Sequence, residues 1–158
     1  MKIARVTLSD RATAGVYEDR SGPEIERVWA EHGGVAAEWV RILIADDRAE
    51  IEITLRRLCD TDHCDLVLTT GGTGPAPRDV TPEATRAVLD RELPGFGEIM
   101  RVQSFAKVPT AILSRATAGT RGRTLLLNLP GNPRAIGECL PLLLPAIAEA
   151  LRHLRGEP

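Results

Sequence analysis

The residues best suited to chemistry form one run, Thr69-Thr70-Gly71-Gly72-Thr73-Gly74, continuing through Arg78-Asp79. Gly71, Gly72 and Gly74 carry no Cβ, so the backbone N–H groups of this stretch can approach an anion closely, and the hydroxyls of Thr70 and Thr73 add donors. The run follows an apolar segment, Leu66 to Thr70, and leads into Thr81-Pro82-Glu83, where hydroxyl, proline and acid stand in the order of a helix start. Strand, glycine loop and helix in succession place the loop at the carboxyl end of a strand, where open α/β sheets bind ligands and a helix N-terminus favours phosphate. Neither the Walker A spacing nor the dinucleotide spacing of glycines is present. A tight strand-to-helix turn would also use these glycines; the threonines, Arg78 and Asp79 tilt the reading toward a phosphate site.

Two carboxylates accompany the loop. Asp46 closes a second apolar segment and Asp79 closes the glycine run, so both fall at strand ends and can share one cleft. Such a pair beside phosphate is the usual way to hold Mg²⁺, which keeps several waters and bridges to phosphate oxygens. Each Asp taken singly also reads as a helix cap, and Asp47 competes with Asp46 for that task. Ser9-Asp10-Arg11 ends the first strand, and Asn128 to Pro133, with Gly131, forms another strand-to-helix loop. His32, His63 and His153 lie away from these clusters. No Ser/His/Asp or Cys/His arrangement and no G-x-S-x-G elbow emerges, which argues against hydrolytic nucleophile chemistry.

The elements that must position these residues follow from the pattern of apolar runs. Strands are expected over Ile3–Ser9, Trp39–Ala45, Leu66–Thr70, Thr110–Ser114 and Thr124–Leu129. Helices are expected from Ser21 (with Glu24 completing a capping box and Gly33-Gly34 as the stop), after Asp46 or Asp47, from Thr81, over Phe96–Phe105, and from Asn132-Pro133 to about Leu154, bent at Pro141 or Pro145. Strands alternating with helices predict a three-layer α/β/α domain with a largely parallel, mixed sheet, and the 158 residues fit one domain, 1–158. Hydrophobic residues make up 43% and aromatics 3%, so the core is aliphatic. A net charge of −2 lacks the basic excess of a nucleic-acid binder, and no apolar run approaches a membrane span. Cys59, Cys64 and Cys139 show neither disulfide nor zinc spacing, and with no leader-like start a cytoplasmic location is expected.

Six blocks in order resemble the molybdopterin adenylyltransferases, the bacterial Mog proteins and the related G domains of gephyrin and its plant counterpart. They are Ser9-Asp10-Arg11-Ala12 with Gly15 and Tyr17; Leu68 to Gly74; Arg78-Asp79-Val80-Thr81-Pro82-Glu83-Ala84; Pro94 to Glu98; Ala111 to Arg115; and Leu129-Pro130-Gly131-Asn132-Pro133. The resemblance implies a Mg²⁺-dependent transfer of AMP from ATP to the terminal phosphate of molybdopterin, performed by a homotrimer. It implies activity at Asp46 and Asp79, which are also the magnesium candidates. It implies a ligand cleft of Ser9, Asp10, Thr70, Gly71, Gly72, Thr73, Gly74, Arg78, Ser114, Asn128 and Gly131, with Arg11 and Arg115 as further phosphate contacts. Molybdopterin synthase and the molybdenum insertase are the transient partners implied. The alternative within the same fold is a molybdopterin-binding paralogue without adenylyl transfer. The insertases themselves carry large extra domains, and the bacterial Mog proteins often carry extra C-terminal sequence, which leaves the subfamily open.

Overall fold

The computed structural model describes residues 1–33 and 35–157. The chain runs β1 (Lys2–Leu8), α1 (Asp10–Thr13), α2 (Ser21–His32), β2 (Glu38–Ile44), α3 (Arg48–Asp60), β3 (Leu66–Thr70), α4 (Thr81–Val88), β4 (Arg91–Glu92), α5 (Gly95–Phe105), a 3₁₀ turn (Pro109–Leu113), β5 (Ala118–Arg121), β6 (Thr124–Leu129) and α6 (Pro133–Leu154). The strands form one sheet in the order β2-β1-β3-β6-β5-β4, parallel through β6, with β5 and β4 antiparallel at one edge.

Period-two alternation along each strand splits the core into the two faces of the sheet. Ile3, Leu66, Leu68, Leu125, Leu127 and Leu129 pack with α2, α5 and α6 on one side. Ala4, Val6, Leu8, Val67 and Leu126 pack with Ile51, Leu55 and Leu58 of α3 and with Ala84 and Val88 of α4 on the other. Every residue of β3 and β6 is buried, as expected of central strands covered on both faces. The expected three-layer α/β/α arrangement with a mixed, largely parallel sheet is therefore present.

Several local expectations change. Residues 110–114 form no strand: Pro109 opens a 3₁₀ turn whose Ile112 and Leu113 are exposed, and the strand lies further on, at β5. The capping box at Ser21 is not formed. Asp19 accepts from the Gly22 N–H instead, Ser21 Oγ donates to the Gly131 carbonyl, and Glu24 pairs with Arg27. Gly33 accommodates the end of α2, and the Gly34 half of that expected stop lies outside the described residues. Thr81 is the first residue of α4 rather than its cap, and its hydroxyl donates to the Gly71 carbonyl. Asn132 caps α6 by accepting from the Arg134 N–H, and that helix continues through Pro141 and Pro145 as one element. Among the described residues no helix is long and apolar enough to cross a membrane.

Candidate functional site

The chain moves from β1 outward to β2, then returns to β3 on the far side of β1, so the strand order reverses between β1 and β3. A hollow of about 310 Å³ opens at the carboxyl ends of these strands, where ligands of open α/β sheets sit. Its wall includes Ser9, Asp10, Asp46, Thr70, Gly71, Gly72 and Gly131, seven of the residues expected from sequence. Gly71 (φ 98°) and Gly72 (φ 63°) both adopt backbone conformations that other residues resist. A methyl on Gly71 would strike the Leu8 carbonyl, and one on Gly72 would strike the Thr81 hydroxyl and stand 2.9 Å from Asp46 Oδ1.

The loop's hydrogen bonds are one-sided. Gly71 O accepts from Thr81 Oγ1, Gly72 O from Thr81 N, Thr73 O from Arg115 N, and Gly74 O from Arg115 Nε. All four carbonyls are thus held by the protein. The N–H groups of Gly71, Gly72, Thr73 and Gly74 donate to no protein acceptor among the described residues. Backbone donors seldom go unpaired unless water or a ligand takes them, and a row of them is an anion site.

Asp47, not Asp46, caps α3 by accepting from the Glu50 N–H. That frees Asp46. Its Oδ2 accepts from the Asp10 N–H at 3.0 Å, while Oδ1 is buried with no hydrogen-bond partner. Burial, then the neighbouring charges of Asp10 and Asp79, raise the Asp46 carboxyl above the ordinary range, against the lowering effect of its backbone bond. Asp79 flanks the other end of the loop. Its Oδ2 accepts from the Ala76 N–H and closes the turn at Ala76 to Asp79, so it caps a turn rather than α4. Arg78 binds Asp10 through two hydrogen bonds of 2.9 Å, which hold the Asp10 carboxyl below its ordinary value. Among the described residues no group of three or more His, Cys, Asp or Glu side chains is arranged to hold a metal ion. The orphaned oxygen of Asp46 suits a hard cation that takes its remaining ligands from phosphate and water.

Other expected residues stand elsewhere. Ser114 lines a second hollow of about 210 Å³ with Met100, Pro130 and Asn132. Thr73 is buried within the loop. Asn128 is 0% exposed, its amide donates to Thr69 and Thr85, and its oxygen accepts from the Thr117 N–H. Asn128 therefore binds the strands beneath the loop and does not reach the cleft. Arg115 is likewise committed: besides Gly74 O it donates to Asp79 O and pairs with Glu83, fixing the loop rather than facing it. Sequence reasoning missed Arg5. It is the one charged side chain in the interior of β1 and forms a nearly buried pair with Asp19, whose carboxylate also accepts from Thr7 Oγ1 and lines the first hollow. An Arg inside an apolar strand was the signal for it.

The sequence and structure also match known proteins. A family model described as "Probable molybdopterin binding domain" matches residues 4–149. A molybdopterin adenylyltransferase of Helicobacter pylori is 53% identical over 154 residues, covering 98% of this chain and 88% of that protein. The enzyme of the same name from Escherichia coli K12 is 53% identical over 140 residues, covering 89% and 72%. The structure of the molybdopterin biosynthesis enzyme MoaB from Thermus thermophilus superposes with a TM-score of 0.88 at 45% identity, covering 99% of this chain and 98% of that one. The Mog protein of Mycobacterium ulcerans does so at 0.88 and 35% identity, covering 97% and 98%. The chain belongs to the molybdopterin-binding domain family, alongside the molybdopterin adenylyltransferases that it resembles over nearly its whole length.

Proposed function

We propose that this chain is a molybdopterin adenylyltransferase, which moves AMP from ATP onto the terminal phosphate of molybdopterin and releases pyrophosphate, within molybdenum cofactor biosynthesis. The observation that carries the reading is the glycine loop, with its four carbonyls tied down and its four N–H groups donating to no protein acceptor among the described residues. The relatives at 53% identity carry that activity in their names.

The nucleophile is a phosphate oxygen that is already anionic at neutral pH, so no strong general base is required. One of its lone pairs forms the new bond to the α-phosphorus while the bond to the bridging oxygen breaks, and that electron pair leaves with pyrophosphate. The difficulty is bringing two polyanions together. The N–H groups of Gly71 to Gly74 bind and orient the phosphates, Thr81 and Arg115 hold the loop in that shape, and Asp10 positions the Asp46 carboxylate. Asp46 and Asp79 would hold Mg²⁺, and the ion, when bound, neutralises charge developing on the phosphate oxygens. Ser9, Asp10, Thr70 and Gly131 line the same hollow. Ser114 belongs to the second hollow, which would take the other substrate.

The protein works as one domain in the cytoplasm and assembles as a homotrimer. Exposed Ile99, Val102 and Phe105 of α5, Val108 and Ile112 after it, and Leu142 of α6 support the assembly, because apolar side chains gathered on neighbouring elements are costly to leave in water. The synthase that supplies molybdopterin and the insertase that takes the product are its transient partners. A molybdopterin-binding paralogue without transfer would have no use for a buried, unpaired carboxylate oxygen at Asp46. The discriminating test is pyrophosphate release. It should appear only when ATP, Mg²⁺ and molybdopterin are all present, and binding without release would select the paralogue.

A further inference from the structure

Arg11 and Tyr17 stand on the wall of the first hollow, and Tyr17 is its sole aromatic residue among the described residues. The chain has only five aromatic side chains. Trp29 and Trp39 pack edge-to-face on each other and Phe96 packs against the core, whereas Tyr17 is 46% exposed on the ligand edge. It is nonetheless held. Its hydroxyl lies 2.7 Å from Ser9 Oγ, the same atom that caps α1 by accepting from the Ala12 N–H. The intervening backbone is pinned by bonds from Val16 N to Arg11 O at 2.9 Å and from Gly15 N to Ala12 O at 3.0 Å. The Arg11 guanidinium carbon sits 5.1 Å from the Tyr17 ring centroid. Arg11 has no carboxylate partner within ion-pair distance among the described residues. The remainder of the hollow is built of carboxylates, hydroxyls, glycine backbone and Leu8. Its polar groups suit phosphates and a cation, but none of these residues offers a flat π surface to a ring.

We propose that Tyr17 and Arg11 form a stacking platform for the planar heterocycle of one substrate, the adenine of ATP or the pyrimidinone ring of the pterin. This assignment rests on the transferase reading above. Adenine and the pyrimidinone ring of the pterin each present a planar π face, and such faces stack on aromatic and guanidinium planes. An anchored ring loses little entropy on binding, so the platform contributes affinity without having to be ordered by the ligand. The ring end of the substrate is then fixed at Tyr17 while the glycine loop takes the phosphates.

The test is calorimetric titration of the whole protein with ATP, with molybdopterin and with inorganic tripolyphosphate, which has no ring. Wild type is compared with Tyr17→Ala, Tyr17→Leu and Tyr17→Phe, with melting curves on the same samples. Tyr17→Ala should weaken one of the two ring-bearing ligands by on the order of tenfold and leave tripolyphosphate unchanged. Tyr17→Leu, which keeps apolar bulk, should behave as Tyr17→Ala does and serves if that variant melts early. Tyr17→Phe, which keeps the ring but loses its tie to Ser9, should lose clearly less than Tyr17→Ala. The ligand that weakens identifies the ring. The platform is overturned if ATP and molybdopterin both bind Tyr17→Ala normally, if tripolyphosphate weakens as much as ATP, or if Tyr17→Phe loses as much as Tyr17→Ala. Wild-type protein that bound neither ring-bearing ligand would remove the transferase reading as well, so the two failures are told apart.

Discussion

Asp10 and Asp46 lie 36 residues apart and exchange hydrogen bonds, each backbone N–H donating to the other's carboxylate at 3.0 Å. The exchange locks the ends of β1 and β2 together, and Arg78 reaches across from the glycine loop to grip the same Asp10. Asp10 is thereby satisfied and neutralised. Asp46 is left with one buried, unpaired oxygen pressed toward Gly72.

That asymmetry makes Asp46 costly to the fold. Its carboxyl is raised, so the folded protein holds this proton more tightly than the unfolded chain does. The associated stability is fully present below the unfolded pKa and is lost as pH rises through the higher folded value. Asp46→Asn should therefore raise the metal-free melting temperature at neutral pH while abolishing turnover. Stabilisation of the wild type by Mg²⁺ should grow as pH rises through the same window, since the cation needs the ionised form. Thermal scans across acidic and neutral pH check both; a less stable Asp46→Asn, or a magnesium effect independent of pH, would contradict the assignment.

The loop's geometry predicts that Gly72→Ala damages both binding and folding. The added methyl meets the Thr81 hydroxyl and crowds Asp46 Oδ1, at a φ of 63° where the substitution costs roughly 1–2 kcal/mol. Melting temperature and tripolyphosphate affinity measured on one sample should both fall. Normal affinity in the folded fraction would mean that the loop serves only as a turn.

Asn128→Ala separates a buried strut from a ligand contact. Removing the amide strands Thr69, Thr85 and the Thr117 N–H, which should cost about 2–3 kcal/mol of stability. Affinity for ATP and molybdopterin should be retained by the protein that remains folded. Lost affinity at an unchanged melting temperature would place Asn128 in the cleft after all.

Assembly is checked by light scattering coupled to gel filtration. The expected mass is about three times the 17.1 kDa chain. A Val102→Glu substitution on the exposed face of α5 should shift the protein toward monomer. A wild-type monomer at micromolar concentration would contradict the trimer.

The parallel strands were legible because β3 is a run of Leu, Val and Thr and β1 and β6 are mostly aliphatic, interrupted by Arg5 and Asn128, and the glycine loop was legible because few folds need three glycines in four residues. The competition between Asp46 and Asp47 for the cap was visible as well, since either could cap α3, and contact with Asp10 decides it. Ala118-Gly119-Thr120-Arg121 carries too little apolar pattern to announce an edge strand, whereas Thr110 to Ser114 carries enough to suggest one that Pro109 prevents. Ser21 and Glu24 have capping-box spacing, but Asp19 lies nearer the first N–H groups. Arg115 and Asn128 look like ligand contacts in one dimension. Their hydrogen bonds are spent inside the protein, a fact about partners as many as 59 residues away.

The most direct measurement follows the α-phosphorus of ATP. Labelled there and incubated with Mg²⁺ and molybdopterin, ATP should pass its label to molybdopterin in the wild type, with pyrophosphate released in equal amount. Asp79→Ala, folded by its melting curve, should do so slower by orders of magnitude, because a carboxylate that positions metal or phosphate is gone. Label remaining on the nucleotide in the wild type, or full transfer by Asp79→Ala, would contradict the assignment of this loop and its two acids as the adenylyl-transfer site.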